Sequence, residues 1–353
     1  MKKINFGITK DGELASGYIL ENSTGMEVEV SDFGALVLAI RILDKHGVVK
    51  DVVLGFETLE EYYNTATGFG AYIGRNGNRI EGACVTIEGV EYKLDANNNG
   101  NNLHSGNDRS HTKFYQTITG ENEEGSFIEF FRTSPHMEQG FPGNLEQKIR
   151  YTLTDKNEFV IDYEMVSDKT TVVNPTNHSY FNLSGHNSGT ILNHEMEIDS
   201  DGFLLTDENL IPTGEIAAVT GTPMDFRQKK TVGKDIPADY LPLKIAGGYD
   251  HNYVLPNDGV LKKVAKLYSP ESGISMEVYT DLCGLQVYSG NFLKGETGKA
   301  GASYQKNSGI CFETQFYPNA CKEPSFPSSI LPAGKVYKSR TIYKFVVEKQ
   351  KEV

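Results

Sequence analysis

The sequence predicts an all-β fold with few short helices, and three observations carry that reading. Thirty-six glycines supply turns in number. Nineteen tyrosines and 18 phenylalanines suit pleated, half-buried strands better than long helices. Apolar and polar residues alternate in many short segments, and neither an internal repeat nor a Pro/Ser/Gly-rich linker breaks the series, so residues 1–353 are expected to form one continuous domain. At 353 residues and 38% hydrophobic content, the chain can bury a large core.

Taken in order, Met26 to Val30 alternates, Asp32-Phe33-Gly34 breaks the pattern, and Ala35 to Leu43 reads as a buried strand. Asp44-Lys45-His46-Gly47 has the composition of a hairpin-like turn. Val52 to Phe56 continues the strand pattern, and Thr58 to Tyr63 suits a single helical turn. In the middle of the chain Phe127 to Phe131 and Gln147 to Tyr151 alternate around Gly140-Phe141-Pro142-Gly143. Phe159 to Val166 is a further strand. Thr220 to Arg227 reads as a loop, Gly247 to Tyr253 as a Gly-opened turn with Asp250 beside His251, and Gly284 to Phe292 as a strand entering a turn.

Charge and motif content exclude several functions. Lys+Arg 34 against Asp+Glu 47 gives a formal charge of -13 with no basic cluster, which argues against nucleic acid, anionic membrane surfaces and sugar phosphates as partners. Cys84, Cys283, Cys311 and Cys321 form no CxxC pair and the first residues lack a signal-peptide apolar core, so a cytoplasmic protein with reduced thiols is expected. The apolar run from Ala35 to Ile40 is too short to span a bilayer. The eight histidines show no HxH or HExxH spacing, and no GxGxxG or P-loop string occurs, so neither a metal nor a nucleotide cofactor is expected.

One stretch is polar where a strand should be apolar. With a two-residue period, Asn174, Thr176, His178, Tyr180 and Asn182 share a face, while Phe181 and Leu183 turn to a core. Such a row costs desolvation energy unless it meets water or a polar ligand such as a sugar. Near the end, Ile310, Phe312 and Phe316 share one face of a strand, and Glu313 projects from the other with Gln315 and Tyr317. A carboxylate fixed in an apolar strand is paired or used. Ile73 to Ile80 sets Arg75, Asn76, Asn78 and Arg79 among glycines, either as a polar clamp on a ligand or as caps on carbonyls. Asn97 to Gly106 is an asparagine-dense loop holding His104, with an ordinary surface loop as its plain alternative.

These segments together resemble the aldose 1-epimerase, or galactose mutarotase, family. The resemblance rests on Asn78-Arg79-Ile80, Leu103-His104, Gly140-Phe141-Pro142-Gly143, Asn177 to Leu183, Asp250-His251-Asn252, Tyr288-Ser289-Gly290-Asn291 and Glu313-Thr314-Gln315, which follow the family's order across most of the chain. It implies a large antiparallel β-sandwich, the galactose mutarotase-like supersandwich, with a shallow open sugar cleft. It further implies interconversion of the α and β anomers of a free hexose, with a monosaccharide as partner and a monomer or homodimer as assembly. His178 matches the family's general acid and Glu313 its general base. Asn78, Arg79, His104, Tyr180, Asp250 and Gln286 match positions that hold sugar hydroxyls. Gly77 stands where alanine is usual, Ser105 where a second glycine is frequent, and Asn319 where aspartate is common, which bears on loop shape and sugar preference.

The implied chemistry needs only two groups. A base takes the anomeric hydroxyl proton while an acid protonates the ring oxygen, the C1–C2 bond rotates, and reclosure with reversed roles gives the other anomer. A glutamate of reference pKa about 4.3 is ionised at neutral pH, whereas a histidine of about 6.5 is mostly neutral. A nearby carboxylate, Asp250 or Glu313 itself, is therefore expected to raise His178 towards working pH. Two other functions fit the same residues. A glycosidase using Asp250 and Glu313 would release nitrophenol from an aryl hexoside, and a non-catalytic sugar-binding module would leave anomer equilibration unchanged. The absence of tryptophan disfavours a platform for long glycans.

Overall fold

Three antiparallel sheets carry most of the strand residues in a computed structural model that describes residues 1–65, 67–256 and 259–348. The first is a five-stranded meander, Lys2–Ile8, Leu14–Glu21, Glu27–Ser31, Val37–Leu43 and Val49–Asp51, paired in chain order. The second has nine strands, and its centre pairs Leu145–Leu153, Glu158–Ser167, Val336–Val347 and Ile274–Thr280 side by side. The third runs Pro212–Ala218, Gly202–Thr206, Asp250–Val254, Gly284–Tyr288 and Cys311–Gln315.

The nine-stranded sheet backs both smaller ones, which makes the β-sandwich. Tyr151 of the large sheet donates its hydroxyl to the carbonyl of Ala35 at 2.8 Å, beside the first sheet. Tyr343 donates to the carbonyl of Phe312 at 2.7 Å in the third, and its ring lies 5.0 Å from that of Phe181. Each tyrosine buries a large apolar ring and satisfies its one polar atom on backbone, so the layers are joined without an orphaned hydroxyl. One continuous hydrophobic cluster accordingly contains Val30 and Val37, Ile149 and Ile161, and Leu285 and Phe312.

Local chemistry fixes most elements where alternation and turn residues place them. At Asp44–Gly47 the carboxylate of Asp44 accepts from the amides of His46 and Val48, and Gly47 takes the left-handed conformation. The short helix Leu59–Asn64 opens on Thr58 and Glu61, each side chain bonded to the other's amide as a capping box. Two expectations differ. Val52 to Phe56 is buried but irregular, meeting Phe181 through an isolated bridge at Val53. Asp250 opens a strand and does not sit in a turn, because the helix Leu241–Ala246 ends on the left-handed Gly247 and releases the chain into Asp250–Val254.

The stretch from Asn174 to Leu183 departs most from its reading as a two-faced strand. Only Thr176–His178 is strand, paired with Ala71–Ile73, and residues 174–183 are buried throughout. Asn174 bonds the backbone of Phe316 as donor and acceptor, and the Asn182 amide donates to the carbonyls of Gly189 and Ser308. Irregular backbone crossing an interior needs such side-chain partners, so much of the polar row is scaffold. His178 and Tyr180 alone of the row line a cleft.

Candidate active site

Residues directly opposite in antiparallel strands share a face, and the third sheet uses this to build a polar floor. Asp250, Tyr288 and Cys311 form one rung, and Asn252, Gln286 and Glu313 the next. Phe312 and Thr314 face the other way, where the hydroxyls of Thr314 and Thr341 pair across the layers. Alternation along Cys311–Gln315 thus aims Glu313 away from the core, as expected. His178 arrives beside this floor because Phe181 and Ile310 exchange backbone bonds at 2.8 and 3.0 Å. The carbonyl of His178 also accepts from Gly70 at 3.1 Å.

The result is a cleft of about 400 Å³ in which His178 Nε2 lies 3.6 Å from Glu313 Oε1. The other ring nitrogen, Nδ1, lies 3.6 Å from Cys311 Sγ. Asn78 and His104 lock each other: the Asn78 amide donates to His104 Nδ1 at 3.1 Å and the His104 amide to the Asn78 carbonyl at 3.0 Å. That bond puts the proton of neutral His104 on Nε2, and its ring meets that of His178 edge-on at 5.3 Å. Arg79 donates through Nε to Asn98 Oδ1 and holds Nη1 4.0 Å from Asp250 Oδ2. Tyr180 donates to the carbonyl of Thr67 at 3.0 Å, with its ring 5.0 Å from that of His178.

Seven of the eight anticipated residues line this cleft: Asn78, Arg79, His104, His178, Tyr180, Asp250 and Glu313. Gln286 lies behind the wall and donates to Asp250 Oδ1 at 2.7 Å, so it steers that carboxylate. The asparagine loop is part of the wall, since Asn97, Asn98 and Gly106 border the opening. The two arginines of the Gly-rich segment part company. Arg75 is fully buried and donates to the carbonyls of Ser134, Pro135, Pro142 and Gly143, so it caps backbone and takes no part in the cleft.

Burial sets the proton inventory. Desolvation lowers His178 to about 4, which reverses the expectation that a carboxylate raises it. The same desolvation, reinforced by the charge of Asp250, pushes Glu313 well above the usual carboxylate range, and Arg79 offsets only part of it. Asp250 is raised by burial and eased by Arg79 and Gln286. Burial thus disfavours the charged form of both His178 and Glu313, lowering the one and raising the other.

The fold also assembles a group that local spacing hides: His178, Cys311 and Glu313 bring ligand atoms within 4.8 Å of one another. Their closest approaches use opposite nitrogens of one imidazole, and the thiol of Cys311 is pushed well up by burial, so the trio is a poor cage for one cation. Cys311 went unread in the sequence; its signal was its place two residues before Glu313, on the same strand face. Arg109 and His111 of the lining were likewise unmarked, while Tyr288 and Phe292 were read only as parts of a motif string and a strand.

Each unusual position has a local reason. Ser105 occupies a left-handed position suited to glycine, and its hydroxyl bonds both the amide and the carbonyl of Asn76. Asn319 donates its amide to the Arg79 carbonyl and accepts from the Glu81 amide. A methyl group at Gly77 would stand 3.0 Å from Thr176 Cγ2 and 3.4 Å from Gln315 Oε1, a tight fit.

Residues 17–344 match the family model described as Aldose 1-epimerase. The galactose mutarotase of Bos taurus is 41% identical over 326 residues, 92% of this chain and 92% of that protein. The aldose 1-epimerase of Escherichia coli (strain K12) is 36% identical over 344 residues, 97% and 98% of the two chains. The crystal structure of galactose 1-epimerase from Lactobacillus acidophilus NCFM superposes with a TM-score of 0.86 at 26% identity, covering 98% of each chain.

Proposed function

Because the chain belongs to the aldose 1-epimerase family and is an isomerase, we propose that its cleft interconverts the α and β anomers of free hexoses such as D-galactose and D-glucose, with His178 as acid and Glu313 as base. The observation that carries the assignment is the side-by-side placement of His178 Nε2 and Glu313 Oε1, 3.6 Å apart on a buried polar floor. Neither group has to travel for one to serve the anomeric oxygen and the other the ring oxygen of one pyranose.

The forward step moves one proton each way. Glu313 as carboxylate takes the anomeric hydroxyl proton, the C1–O5 bond breaks, and protonated His178 delivers a proton to O5. Rotation about C1–C2 and reclosure in the reverse sense return both protons. A bound sugar favours this charged arrangement, since its anomeric hydroxyl donates to the carboxylate and its ring oxygen accepts from the imidazolium. Asn78, Arg79, His104, Tyr180 and Asp250 orient the hydroxyls, with Arg79 and Asp250 set 4.0 Å apart so that a hydroxyl can bond both. Gln286 acts through Asp250. This chemistry requires no cofactor.

Residues 1–353 are read as one functional unit, supported by a core cluster that runs from Tyr18 to Phe345. A cytoplasmic location and a monomer or homodimer complete the proposal; no helix among the described residues is long and apolar enough to cross a membrane. Polarimetry on freshly dissolved α-D-galactose and α-D-glucose is the test. Faster decay of rotation at catalytic protein concentration, with no nitrophenol released from an aryl hexoside, is the expected result. Sugar binding without faster decay would leave only a binding module.

A further inference from the structure

The cleft continues past the acid–base pair into a lobe that anomer interconversion itself does not use. Its wall holds His111, 6% exposed, whose two ring nitrogens have no hydrogen-bond partner among the described residues. Beside it Arg109 donates Nη1 to the carbonyl of Thr65 at 2.7 Å, and no other nitrogen of its guanidinium is bonded among the described residues. A buried imidazole left without partners costs free energy that a ligand can recover, and such groups mark recognition sites. Neutral imidazole offers one donor and one acceptor, which is the complement of a hydroxyl. Burial and the nearby Arg109 hold His111 down to about 3, so the ring is neutral at ordinary pH.

The order of groups along the cleft decides which hydroxyl would reach it. At one end Gln286 and Arg79 hold Asp250 next to Glu313. His178 comes next, with Gly68 and Thr67 beside it: a Cβ on Gly68 would stand 3.9 Å from His178 Cγ, Tyr180 reaches the Thr67 carbonyl, and the Thr67 amide bonds the hydroxyl of Thr65. Arg109 is tied to Thr65 in turn. If Glu313 serves the anomeric oxygen and His178 the ring oxygen, the atom following the ring oxygen is C5, and its substituent points away from Glu313.

We propose that Arg109 and His111 form a subsite for the hydroxymethyl group on C5 of the sugar, with His111 bonding the C6 hydroxyl and so favouring hexoses over 6-deoxy and five-carbon aldoses. This rests on the assignment of His178 to the ring oxygen. The Asp250 end, lined by charged groups, is left to the hydroxyls on C2 to C4.

The probe is D-fucose, which is D-galactose without the C6 oxygen. Initial mutarotation rates of both sugars are measured with wild type and His111→Phe, a change that keeps a planar ring and removes its nitrogens. The expected result is a galactose-to-fucose ratio of kcat/KM that falls about 2- to 10-fold in the variant, the weight of one neutral hydrogen bond. A ratio that stays constant, whether both rates fall together or neither does, overturns the subsite and leaves His111 as packing. Calorimetric affinities of the two sugars for both proteins give the same ratio independently of turnover. Absent turnover with a shifted affinity ratio would therefore sink the ring-opening reading and keep the lobe, whereas normal turnover with an unshifted ratio would do the reverse.

Discussion

Glu313→Gln removes the proposed base while leaving its shape, and the structure sets both consequences. Glu313 is 2% exposed, and its Oε2 has no partner among the described residues, so an amide fits the same space without breaking a bond. A positioned base contributes about 10² to 10⁴ in rate, or about 3 to 5 kcal/mol of barrier. The variant should lose at least about 100-fold in kcat with α-D-galactose by polarimetry. Stability should move the other way. Because burial raises the Glu313 pKa above that of an unfolded carboxylate, the folded chain holds more protons there and wild type loses stability as pH rises above the ordinary carboxylate range. Glutamine carries no such dependence, so the variant should melt at the same temperature as wild type or higher at pH 8. A folded Glu313→Gln protein turning over within about tenfold of wild type would refute the assignment of the base.

Four further outcomes are expected. With His178 held near 4, kcat/KM for the free enzyme should show no histidine limb between pH 7 and pH 5, whereas an acid limb near 6.5 would show an unburied histidine. Stability of the Glu313→Gln protein, which lacks the opposing carboxylate, should decline over that range, since His178, His194 and His251 sit near 4 when folded and the unfolded chain takes up protons first as pH falls below about 6.5; thermal melts across pH check this. Arg75→Met leaves four carbonyls, three of them buried, without their donor and should cost about 4 kcal/mol in urea unfolding. Gly70→Ala should lower both stability, by about 2 kcal/mol or more, and kcat, because Gly70 has positive φ, a Cβ there would meet the Val37 carbonyl at 2.0 Å, and its amide holds His178.

The sequence by itself determined the β architecture, the capped helix after Thr58, the turn at Asp44–Gly47 and the outward aim of Glu313. Each depends on neighbours within a few residues: a period of two, a side chain bonding its own turn, a strand face read from Ile310 and Phe312. Resemblance in ordered motifs added His178 and the residues proposed to hold sugar hydroxyls. Only the tertiary structure showed what the other arginine of the Gly-rich segment does, because Arg75 meets carbonyls near residues 134 and 143 that no local pattern links to it. It likewise turned most of the Asn174–Asn182 row into scaffold, since backbone bonds to Phe316 and Ser308 form only once distant strands pack. The proton balance belongs to the same class. Neither His178 nor Glu313 carries its own desolvation in the sequence; the layers that bury them set it, lowering one and raising the other.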